Sequence, residues 1–118
     1  MKNHLRRMML LTLFLTGWSV SVYAQAVTDE QLGLQYFNNK EYEKAAALFE
    51  RLFDEKPGVY NYTYLLQSLL ELDDLDKAEK IVKKQAKRFP EDYRYVIDQG
   101  YVLIRSNQSP KATKLFEQ

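Results

Sequence analysis

The chain has 118 residues, a formal net charge of +1, no cysteine and one histidine, His4. These counts allow one domain and exclude disulfides, zinc–thiolate clusters, thiol nucleophiles and a lipobox lipid anchor. Four glycines, none in a phosphate-cradling loop, leave no nucleotide motif.

The first 26 residues differ in kind from the rest. Lys2, Arg6 and Arg7 give a positive start, and Met8 to Val22 is an apolar run interrupted by Thr12, Thr16, Gly17 and Ser19. Val22-Tyr23-Ala24 and Ala24-Gln25-Ala26 both place small residues at cleavage-compatible spacing. Residues 1–26 therefore read as a secretory signal peptide, cut after Ala24 or Ala26. The run is short of the roughly 20 apolar residues that span a bilayer. A short charged start and a short apolar run suit a bacterial leader, so the expected location is periplasmic or secreted. Cleavage removes His4, and with it imidazole bases and histidine-containing triads. It also removes Lys2, Arg6 and Arg7: 17 basic side chains less these three leaves 14, against 16 acidic ones. That balance gives no field to draw in nucleic acid.

Beyond the leader the apolar spacing is helical. Thr28 with Gln31 three residues on is a capping box that opens a first helix over 28–38, with Leu32, Tyr36 and Phe37 on one face. A second helix, 41–55, carries Tyr42, Ala45, Ala46, Phe49, Leu52 and Phe53, and Pro57-Gly58 ends it. A third, 59–72, carries Tyr62, Leu65, Leu66 and Leu69. Asp74 is the N-cap of a fourth, 75–88, with Leu75, Ala78, Ile81, Val82 and Ala86, closed by Phe89-Pro90. A fifth spans 92–106. Ser109-Pro110, a cap followed by a first-turn proline, opens a sixth over 110–118. No strand is needed anywhere.

The same residue types return about every 34 positions. Ala45, Ala78 and Ala112 are 33 and then 34 apart, and Phe49, Val82 and Phe116 keep those steps. Pro57 and Pro90 each follow their alanine by twelve. A fixed period of this length means stacked units rather than one globular core. Leu32-Gly33, Tyr36, Tyr42, Ala45, Phe49 and Pro57 in the first unit resemble the tetratricopeptide repeat, with its L-G-x2-Y, A-x3-F and P spacing. Tyr62, Leu65, Leu69, Leu75, Ala78, Val82 and Pro90 match in the second, and Val96, Gly100, Leu103, Ala112 and Phe116 in the third.

The resemblance implies an all-α, right-handed superhelical solenoid of antiparallel helix pairs over residues 27–118. Two full repeats (about 27–58 and 59–92) precede a partial third (93–118). The sequence departs from the family at Asp29, where a large aromatic is usual, and at Gln99 and Ser109, where Leu and Tyr are usual. It departs again at Leu66, where glycine is preferred, which predicts that the two helices of unit two sit further apart.

In such a stack the first helix of each unit lines the inner surface. Tyrosine and arginine combine large contact area with a polar end. The candidate partner-binding residues are therefore Tyr60, Tyr64, Gln67, Arg94, Tyr101 and Arg105, with Ile97 and Asp98 also facing inward. Tyr64 and Tyr101 also suit packing between units. The lysine–asparagine clamp with which some family members hold carboxylate tails is missing: its positions resemble Glu30 and Leu34 in unit one, and Thr63 and Gln67 in unit two.

No catalytic residue, cofactor or metal site is assigned. Asp73, Asp74 and Asp76 read as capping and helix-dipole residues, and Lys77, Lys80, Lys84 and Lys87 as a solvated outer face. The expected function is a non-catalytic scaffold of the bacterial envelope that binds a protein or peptide partner. The alternatives are the N-terminal sensing or docking arm of a larger membrane protein or enzyme, and a glycan or cell-wall binding module. With Gln118 inside the sixth helix, Leu115 and Phe116 are expected to have little to pack against. The chain therefore reads as the front of a longer protein, or as one that self-associates through its uncapped last helix.

Overall fold

The computed structural model describes residues 26–118; the proposed signal peptide lies almost wholly outside them. They form six helices: α1 (Asp29–Asn38), α2 (Tyr42–Glu55), α3 (Val59–Glu71), α4 (Leu75–Arg88), α5 (Tyr93–Arg105) and α6 (Ser109–Phe116). No strand occurs among the described residues. Helices pack in consecutive pairs, α1 with α2, α3 with α4 and α5 with α6, and each pair adds to the one before through α2–α3 and α4–α5 contacts. This is an all-α solenoid of helix pairs. Among the described residues no helix is long and apolar enough to cross a membrane.

Local chemistry sets the helix ends. Thr28 Oγ1 accepts from the Gln31 amide at 3.2 Å while Gln31 Oε1 accepts from the Thr28 amide at 3.1 Å, closing the capping box. Asp74 Oδ1 accepts from the Lys77 amide at 3.3 Å. The last helix differs from expectation. Gln108, not Ser109, is its N-cap, so Ser109 and Pro110 fill the first two helical positions. The Ser109 carbonyl accepts from Thr113 Oγ1 at 3.1 Å. The helix stops at Phe116 rather than running to Gln118.

The turn inside each pair is built the same way. Lys40, Asp73 and Asn107 hold φ of 61°, 56° and 58°. The residue after each donates back across six residues: Glu41 to Tyr36 O at 2.9 Å, Asp74 to Leu69 O at 2.9 Å, and Gln108 to Leu103 O at 2.8 Å. This is the Schellman arrangement, which satisfies the helix's last carbonyls but needs one left-handed residue. Here three non-glycine residues carry that conformation.

Pairs are held by matching small to large. Ala45 and Ala78 are fully buried and Ala112 nearly so, which lets helix backbones approach. A Cβ added to Gly33 would lie 2.8 Å from the Phe49 ring, and one added to Gly100 would overlap the Phe116 ring. Phe49 is fully buried, and truncating such a ring typically costs about 3–5 kcal/mol. Exposed ion pairs such as Asp29–Arg51 at 3.1 Å contribute only about 0–1 kcal/mol. The ring-on-glycine contact thus dominates the first pair. Phe116, expected to lack a neighbour, finds one in Gly100 of its own unit, yet 53% of it stays exposed. The middle unit inverts the pattern, with a large Leu66 on α3 and a smaller, fully buried Val82 on α4 in the same core. The α3 and α4 backbones approach each other less than those of α1–α2 or α5–α6, which is the direction that a leucine in the glycine position predicts.

Two junctions join the units by different means. Asn61 is buried and its Nδ2 donates to the Lys56 and Leu52 carbonyls at 3.1 and 3.4 Å, fastening α3 to the end of α2. One repeat later the same place holds Tyr95, whose ring meets Phe89 at 5.8 Å and stands edge-on to Tyr62 at 5.1 Å.

Replacing Lys40 by glycine removes a Cβ from a left-handed position whose side chain is exposed. We expect Lys40→Gly to raise stability by about 1 kcal/mol, read as a higher denaturation midpoint with unchanged slope. A lower midpoint would contradict the turn geometry.

Candidate functional site

The backbones of the first helices do not all come close. Those of α1 and α3 do, whereas those of α3 and α5 do not, and a groove of about 310 Å³ opens between them. Val59, Tyr62, Thr63, Leu66 and Gln67 line one wall, and Arg94, Tyr95, Ile97 and Asp98 the other. Their spacings of three and four place each set on one helix face. Val59, Leu66 and Ile97 make the walls largely apolar; Gln67, Asp98 and Arg94 supply polar groups.

One hydrogen bond crosses the floor. Tyr62 Oη donates to Asp98 Oδ2 at 2.8 Å. Tyr62 is held by Tyr95 on one side and by Phe53 at 6.1 Å on another, so the carboxylate that it grips is fixed in place. Burial first, and then this hydrogen bond, push the Tyr62 hydroxyl well above the usual tyrosine range.

Arg94 at the groove mouth is already engaged. Its Nε and guanidinium nitrogen donate to the two Asp92 oxygens at 2.9 and 2.7 Å, and Asp92 also caps α5 through the Arg94 amide at 3.2 Å. The hydrogen bond from Arg94 holds the Asp92 carboxyl below its ordinary range, and the same bond raises Arg94.

The six residues expected to bind a partner do not form one surface. Gln67 and Arg94 line the groove. Tyr60 and Tyr64 instead join an aromatic cluster over unit one. Tyr64 is half-buried, stacked on Phe49 at 5.2 Å and edge-on to Phe37 at 5.2 Å, with the Tyr60 ring 4.9 Å away. Phe49 leans over Gly33, which places its ring within reach of Tyr64, so this tyrosine packs between units. Tyr101 is exposed on α5 beyond the groove, in a stripe with Tyr93, Ile97 and Ile104. Arg105 reaches back to Asp73 Oδ1 at 3.2 Å and bridges α5 to the turn between α3 and α4. Of the acidic cluster, Asp74 caps α4 and Asp73 takes this ion pair.

The groove also uses Tyr62 and Leu66, which in the sequence belong to the core stripe of α3, and Val59 and Tyr95, which carry no signal of their own. The apolar stripe is wide enough to serve the core with one edge and the groove with the other.

This architecture defines a helical-repeat protein of the kind that holds other proteins. The chain belongs to the tetratricopeptide repeat family: the profile of that repeat matches residues 36–99, more than half of the chain. Repeats of this family generally mediate protein–protein interaction and are typically non-catalytic scaffolds. No curated protein and no solved structure gives a significant match to the chain.

The Tyr62–Asp98 bond makes an alkaline prediction. A hydroxyl whose pKa is raised by folding contributes stability that is complete below the ordinary tyrosine value of about 10 and is lost as pH climbs past it. We expect Tyr62→Phe to cost about 1 kcal/mol at neutral pH and to shrink the loss of stability between pH ~7 and ~10.5. Urea unfolding of both proteins at the two pH values tests this; an alkaline loss equal to that of the parent would refute it.

Proposed function

We propose that the chain is an exported, non-catalytic scaffold of the bacterial cell envelope, and that it holds a protein or peptide partner in the groove between α3 and α5. The observation that carries this reading is the groove itself: apolar walls, a floor with a fixed carboxylate, and exposed Gln67 and Thr63, on a fold that serves protein interaction. The positive start, apolar run and Ala24 and Ala26 of the leader support export. A photo-crosslinking residue at Gln67 should capture a partner from envelope extracts, while one at Lys84, on the exposed face of α4, should not. Equal capture from both positions, or capture from Lys84 alone, would exclude the groove.

A second reading rests on α5. Tyr93, Ile97, Tyr101 and Ile104, at steps of four, four and three, leave a stripe of large apolar side chains exposed, and Phe116 of the last pair is half exposed as well. Such stripes mark association surfaces, which supports self-association through the C-terminal helix pair. Sedimentation should show a dimer that Ile104→Glu returns to a monomer; a parent that is monomeric at ~100 μM, where contacts even weaker than micromolar would register, removes this reading.

A further inference from the structure

We propose that the α3–α5 groove is a receptor for a basic side chain, lysine or arginine, presented beside an aliphatic residue by a peptide segment of the partner. This deepens the groove reading above and rests on it. The argument is one of charge. Six ion pairs form among the described residues, and Asp98 takes part in none of them. The other charge lining the groove, Arg94, is held by both oxygens of Asp92. Arg105, further along α5, is taken by Asp73. The carboxylate of Asp98 feels Arg94 one turn away on α5, yet it is the charge in the groove that forms no ion pair.

It is also preorganised. Tyr62, packed between Phe53 and Tyr95, donates to Oδ2 at 2.8 Å and so orients the carboxylate on α5. Asp98 is half-buried between apolar walls, where the local dielectric is lower and a cation is attracted more strongly than at an open surface. The same field repels a carboxylate ligand. Val59, Leu66 and Ile97 give the neighbouring space an aliphatic lining. At about 310 Å³ the groove sits at the lower end of the range for small-molecule sites, about 300–1,000 Å³, which suits side chains of a docked segment better than a large cofactor.

The test is a selection of random peptides displayed on phage against the purified chain. The expected result is enrichment of lysine or arginine at one position next to leucine, isoleucine or valine. A selected peptide is then titrated with that residue as lysine and as norleucine. The lysine form should bind the parent about tenfold more tightly, and the preference should vanish on Asp98→Asn, whose side chain still accepts from Tyr62. Should Asp98→Asn fail to fold, the lysine–norleucine comparison on the parent, with Ile97→Ser as a second wall variant, decides alone. Peptides that compete with the Gln67 crosslink but show no basic position would overturn this inference and leave the groove reading standing. Absence of any enriched peptide would overturn this inference, and the Gln67 crosslink decides the groove reading by itself.

Discussion

The close fit of a large ring over a missing side chain is the contact on which the rest depends. Phe49 seats on Gly33 and Phe116 on Gly100, and the buried alanines at 45, 78 and 112 bring the paired backbones near enough for this to happen. A methyl group at Gly33 would stand inside the contact distance of a fully buried ring. Interiors pack at near-crystalline density, so the ring has nowhere to retreat. Ion pairs between α1 and its neighbours are exposed and screened, and cannot set the geometry.

The middle pair departs from that rule, and the groove lies beside the departure. With leucine at 66 and valine at 82 the bulk moves from α4 to α3, and the backbones of these helices approach each other less than in the other two pairs. Leu66 thereby fills the core with one side and lines the groove with another. Across from it, Tyr95 takes the junction position that Asn61 holds one repeat earlier. An aromatic ring there packs on Phe89 and Tyr62 instead of donating to helix-end carbonyls. The two junctions of one repeat array therefore differ: at the first, the backbones of α1 and α3 come close; at the second, those of α3 and α5 stand apart and side chains bridge them.

Charge follows the same division between structure and surface. Arg94 and Arg105 look alike in the sequence as large cationic groove residues, yet both are spent on aspartates that cap or follow helices. Asp98, which looks like an ordinary polar position, has the one fixed and half-buried carboxylate of the groove. Where an ion pair forms depends on which turns come within reach, and Asp73 and Arg105 are 32 residues apart.

The amino-acid sequence by itself determined the six helices to within a residue or two at each end, the Thr28 and Asp74 caps, the repeat and the buried alanines. These depend on local spacing and on hydrogen bonds that span three to five residues. Only the tertiary structure decided that Tyr64 packs against unit one, that Arg105 is bound, and that Tyr62 and Asp98, 36 positions apart, meet. Those outcomes turn on angstrom differences in how successive pairs are set against each other. Such differences are the sum of many packing contacts, and no short stretch of residues encodes them.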